Sequence, residues 1–87
     1  MIYTVLWRPL AEQQLAQLWN NAADRKAVTS AADTIDSVLR RDPHSKGESR
    51  SGANRVLFVP PLLVLFEVLE QDRTVYVKAV GRLRHHP

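Results

Sequence analysis

Residues 54–80 read NRVLFVPPLLVLFEVLEQDRTVYVKAV. Three runs of aliphatic, β-branched and aromatic residues follow one another here, at 56–59, 62–69 and 75–80. Pro60-Pro61 breaks the first gap and Glu70-Gln71-Asp72-Arg73 the second. Short runs of this composition, with breakers a few residues long, predict three strands of an antiparallel meander. Each strand buries at least one face, so elements outside the stretch must cover the sheet.

Upstream, residues 2–7 predict a first strand, because Ile2, Tyr3, Val5, Leu6 and Trp7 favour extended or buried positions. Arg8-Pro9 ends it, and Pro9 suits the first position of a helix. Ala11, Leu15, Leu18, Trp19 and Ala22 then recur at helical spacing, with Glu12, Gln13, Gln17 and Asn20 opposite. Asp24 is a ready N-cap for a second helix that ends near Arg41, before Asp42-Pro43. Val28, Ala31, Ala32, Ile35, Val38 and Leu39 form its apolar stripe. Two such helices joined by a short turn make an antiparallel hairpin, the natural cover for the sheet. The polar segment 44–53 is a loop or an exposed edge leading into the meander, and a short basic tail follows Val80. The expected fold is α+β in the order β-α-α-β-β-β: a helical hairpin packed on a four-stranded, mainly antiparallel sheet, as one domain over residues 1–87.

In the 62–69 strand, Val64, Phe66 and Val68 face one way while Leu63, Leu65, Glu67 and Leu69 face the other. Helices cover only one of these faces. The second, apolar apart from Glu67, calls for closure by the tail, a dimer mate or a binding partner.

A chain of 87 residues holds only a modest core. It contains no cysteine, which excludes a disulfide scaffold and suits a reducing cytosol. Its longest apolar run is broken by the proline pair and is too short to span a bilayer as a helix. The N-terminus lacks the basic region and cleavage site of a secretory signal. A cytoplasmic protein with no membrane partner is therefore expected. Net charge is +3: the first 43 residues hold five basic and five acidic side chains, the remainder seven against four. That surplus on the sheet half suits a polyanion, an acidic protein partner, or simple solubility.

The element order, together with Trp7-Arg8-Pro9, Gly47 and Arg50, Arg55-Val56-Leu57, Leu65-Phe66-Glu67-Val68 and Val77-Lys78-Ala79-Val80-Gly81-Arg82, resembles the RelE/ParE superfamily of toxins from bacterial type II toxin–antitoxin systems. The likeness spans essentially the whole chain. It implies a toxin held inactive by a cognate antitoxin, monomeric or weakly dimeric without it. RelE-like members cut mRNA in the ribosomal A site without a metal, whereas ParE-like members poison DNA gyrase; one fold serves both.

Metal-free RNA cleavage needs a base for the 2′-hydroxyl, cations for the pentacovalent phosphate and an acid for the leaving oxygen. Arg50, Arg55, Arg82, Arg84 and Lys46 are the candidate phosphate-binding groups. Glu48 is the candidate base, His85 or His86 the acid or base, and Arg55 and Arg82 also count as catalytic. No cofactor is implied. His44, His85 and His86 make a poor zinc set without cysteine.

The blander roles are a solvated rim or pairing with Glu48 and Glu67 for Arg50 and Arg55, an unstructured chain end for His85-His86, and packing for Trp7, Trp19 and Tyr76. RelE-like nucleases usually carry basic residues at alternate positions of the second strand and at the start of the third. Here those stretches read Arg55-Val56-Leu57-Phe58 and Pro61-Leu62-Leu63-Val64. The expected function is a toxin that cleaves mRNA on the ribosome, with gyrase inhibition or an inactive, partner-binding toxin fold as alternatives. An extended, acidic antitoxin segment is expected across the Leu63 and Leu65 face.

Overall fold

The computed structural model describes residues 2–45, 47–49 and 53–82. In chain order the elements are β1 (Thr4–Trp7), α1 (Pro9–Asn21), α2 (Arg25–Arg41), β2 (Glu48–Ser49), β3 (Asn54–Val59), β4 (Leu62–Leu69) and β5 (Thr74–Arg82), with a 3-10 turn, Glu70–Asp72, between β4 and β5. The sheet order is β1-β5-β4-β3-β2. β1 runs parallel to β5, and the other neighbours are antiparallel. The four expected strands and the helical hairpin all form. The segment between α2 and β3 supplies a two-residue edge strand, and the Pro60-Pro61 bond at the β3–β4 turn is cis.

Local chemistry accounts for the helices. α1 starts at Pro9, and α2 starts after Asp24, whose Oδ1 accepts from the Ala27 N–H at 3.1 Å. The inner stripe of α2, Val28, Ala31, Ile35 and Leu39, is buried, and Ala11, Leu15 and Leu18 of α1 pack on the same core. Beneath them lie Leu62, Val64 and Phe66 of β4 and Val75 and Val77 of β5, all fully buried. Gln14 of α1 was not legible as a sheet contact. Its Oε1 accepts from the Val80 N–H at 2.8 Å, where β5 has run past the end of β1.

The α2–β2 connection lies directly on this core. Gly47 has φ +78°, and a Cβ there would stand 2.3 Å from the Val56 carbonyl oxygen and 3.2 Å from Phe66 Cε1. Only glycine permits that approach at that backbone angle. Arg55 fastens the same connection, donating from Nη2 to the carbonyls of His44 at 3.0 Å and Gly47 at 3.2 Å.

A polar cluster ties three distant segments together. Tyr3, just before β1, donates its hydroxyl to Glu70 at 2.9–3.0 Å, and His44 Nε2 sits 2.5 Å from Glu70 Oε2. The His44 and Tyr3 hydrogen bonds hold the Glu70 carboxyl below its usual value of 4.5, and Arg73 adds to the effect. A carboxylate with a depressed pKa contributes stability that is fully present above the unfolded value and is lost as pH falls through the folded one. Replacing Glu70→Gln should therefore lower the melting temperature at neutral pH, with the gap to wild type closing as pH falls below the ordinary carboxylate value of 4.5. Melting curves across that fall in pH check it; a gap independent of pH would contradict the linkage.

Candidate functional site

The helices cover one face of the sheet and leave the other open. Pairing places Val56 beside Leu65 and Ala79, and Phe58 beside Leu63 and Gly81, on this open face. Phe58 is 46% exposed, and Val56, Leu63, Leu65 and Ala79 are half-buried. The strands therefore present a continuous apolar patch over the β3–β4–β5 end of the sheet.

Toward β1 the same face becomes mixed, with charged groups and Tyr76 beside the exposed Leu6. Between Leu65, paired with Ala79, and Phe66, paired with Val77, the ladder is irregular and Lys78 is the extra residue. The bulge re-aims its side chain: Nζ donates to Asn54 Oδ1 at 2.9 Å and lies 3.7 Å from Glu67 Oε1. Next to Glu67 stands Tyr76, and over its ring lies the Arg8 guanidinium, 4.7 Å from the centroid. In the sequence Arg8 reads as a strand terminator and Tyr76 as packing. They meet because β1 pairs in parallel with β5, placing Leu6 beside Tyr76.

Of the candidate site residues, Glu48, Arg55 and Arg82 are described, and β geometry distributes them over both faces. Glu48 pairs with Val56 and so belongs to the open face, at the sheet edge. Arg55 pairs with the buried Phe66, and Arg82 with the buried Leu62, so both belong to the helix-side face. The Cα atoms of Arg55 and Arg82 stand roughly 16 Å apart, counting strand spacing and rise along β4. Glu67, considered as a partner of Arg50 or Arg55, pairs with Lys78. Lys46, Arg50, Arg84, His85 and His86 lie outside the described residues. Among the described residues no group of His, Cys, Asp and Glu could hold a metal ion, and no helix is long and apolar enough to cross a membrane.

A concave feature, which the sequence did not announce, lies at the β1 edge of the sheet. A groove of about 800 Å³ runs between the hairpin and the outer edge of β1, with Trp7, Leu15 and Trp19 among its apolar walls and Glu12, Asp33 and Asp36 on its rim. Trp7 Nε1 donates to Asp36 at 3.4 Å, and Trp19 Nε1 to Thr29 at 3.2 Å. β1 is an edge strand. The N–H groups of Thr4 and Arg8 point toward β5, to the carbonyls of Arg73 and Val77, while that of Tyr3 points the other way, to the Arg40 carbonyl. By alternation the peptide groups of Val5 and Trp7 face the groove, with no backbone partner there among the described residues.

No protein-family model matches the sequence, and no curated relative matches it. Solved structures do match the fold. The RelBE2 toxin–antitoxin complex of Mycobacterium tuberculosis contains a chain with TM-score 0.77 at 17% identity, covering 95% of this chain and 93% of that one. A chromosomal ParDE toxin–antitoxin system of P. aeruginosa gives 0.71 at 16%, covering 95% and 98%. The isolated E. coli RelE toxin gives 0.64 at 13%, covering 97% and 87%. At 13–17% identity the likeness is one of fold: the chain shares the fold seen in these RelE and ParE toxin–antitoxin structures.

Proposed function

We propose that this protein is the toxin of a type II toxin–antitoxin pair and that it acts by gripping a protein target, DNA gyrase in the ParE-like manner, rather than by cutting mRNA. The observation that carries this reading is the chemistry of the open face. Metal-free phosphodiester cleavage needs several cations converging on one phosphate in the company of an acid and a base. Among the described residues the centre of the open face is instead Val56, Phe58, Leu63, Leu65 and Ala79. Lys78 is engaged by Glu67 and Asn54, and Arg55 is spent on the α2–β2 connection. Apolar area of this kind suits a protein surface and gives little to a phosphate backbone.

Two assays on the purified protein separate the readings. Supercoiling by DNA gyrase should be inhibited, and primer extension on a defined mRNA in a reconstituted translation reaction should show no new ends. Ribosome-dependent cuts that disappear with Arg82→Ala would overturn the proposal in favour of nuclease action.

The groove suits the antitoxin. An extended segment could add to β1 through the open Val5 and Trp7 peptide groups while seating apolar side chains against Trp7, Leu15 and Trp19. The rim carboxylates Glu12, Asp33 and Asp36 ask for lysine or arginine in that segment, which departs from a uniformly acidic one. Ala16→Arg, an exposed change on the groove wall, should weaken binding of the cognate antitoxin at least tenfold, about 1.4 kcal/mol, without lowering the melting temperature. Unchanged affinity by titration calorimetry would remove the groove as the seat.

A further inference from the structure

The open face carries an unbalanced charge at one corner, and this says what its partner must look like. The Arg8 side chain makes no hydrogen bond or ion pair among the described residues; its one fixed contact is the Tyr76 ring beneath it. The cation–π contact places the guanidinium over the ring while its N–H donors have no partner among the described residues. Glu67, beside Tyr76, is already matched by Lys78, and Glu12, one turn into α1, belongs to the groove rim. Arg8 also precedes α1, so the positive end of that helix lies beside it and favours an incoming anion. The face thus combines an apolar floor toward β3 with a pre-oriented anion receptor toward β1.

We infer that the open face seats a segment of the protein target that is apolar along most of its contact and carries a carboxylate opposite the stacked Arg8–Tyr76 pair. The inference rests on the target reading above and deepens it by naming the partner's chemistry. The carboxylate completes a planar, two-point match to the guanidinium fork, and the patch of Val56, Phe58, Leu63 and Leu65 excludes water around it. Among the described residues Arg8 is the cation of this face with no ionic partner, Lys78 being matched by Glu67, and a receptor of that kind at the edge of an apolar floor fits an acidic side chain of a protein. A nucleic-acid backbone calls instead for a positively charged groove.

The test uses purified DNA gyrase as the probe, flowed over the immobilised full chain, with a single-stranded RNA oligonucleotide in a parallel arm. Arg8→Glu reverses the receptor, Phe58→Asp charges an exposed part of the floor, and Lys26→Glu on exposed α2 serves as the control. Gyrase affinity should fall at least tenfold with Arg8→Glu and with Phe58→Asp and stay unchanged with Lys26→Glu, while melting temperatures match wild type. Phe58→Ala replaces Phe58→Asp if the charged variant melts early, with a smaller loss expected in the same direction. Gyrase binding that survives both face variants would overturn the inference and leave the target reading standing. No binding by the wild type would remove both. An RNA affinity that drops with Arg8→Glu while gyrase affinity holds would assign the corner to a nucleic acid and overturn the inference.

Discussion

The burial of one face of the β4–β5 ladder beneath the helical hairpin is the constraint on which the rest of the structure depends. Leu62, Val64 and Phe66 on β4 meet Val75, Val77 and Val80 on β5, and each is within a few per cent of complete burial. Each such side chain contributes about 1.5–3 kcal/mol. A register slip of one residue would move the whole set to the open side, so the register is strongly held. Because side chains alternate, this commitment also decides what stands on the open face. Leu63, Leu65 and Glu67 are there because their neighbours are needed below. The bulge at Lys78 is the one place where β5 escapes strict alternation, and there it brings a cation to Glu67.

Much of this was legible in the sequence because the signals were local. The breakers at Pro60-Pro61 and 70–73 mark the meander, Pro9 and Asp24 the helix starts, and the six-residue stripe of α2 contains all four of its buried residues, Ala32 and Val38 being only half-buried. What the sequence hid was non-local. Nothing in Ile2-Tyr3-Thr4 says that Tyr3 will bond Glu70, because that contact depends on β1 running parallel beside β5. The same pairing creates the Arg8–Tyr76 stack and leaves the outer edge of β1 open to the groove. The candidate site was read by residue type, and type does not give face. Arg55 looks like a phosphate ligand in one dimension, yet its pairing with Phe66 turns it toward the α2–β2 connection.

The groove and the open face differ in their chemistry. The groove is apolar with an acidic rim beside an unpaired strand edge, whereas the open face is apolar with a basic corner and a neutral Glu67–Lys78 pair. Surfaces of different charge character suit partners of different chemistry, and the two meet at β1, where Leu6 lines the groove and stands beside Tyr76.

The central claim is that the open face binds protein rather than RNA, and methyl NMR reads that face directly. In the chain with labelled valine and leucine methyls, addition of DNA gyrase should shift or broaden Val56, Leu63 and Leu65, and the fully buried Val75 and Val77 should report only indirect effects. A single-stranded RNA oligonucleotide at physiological salt should leave all of them unmoved. Saturable movement of the Leu63 and Leu65 methyls by RNA, with none by gyrase, would contradict the account.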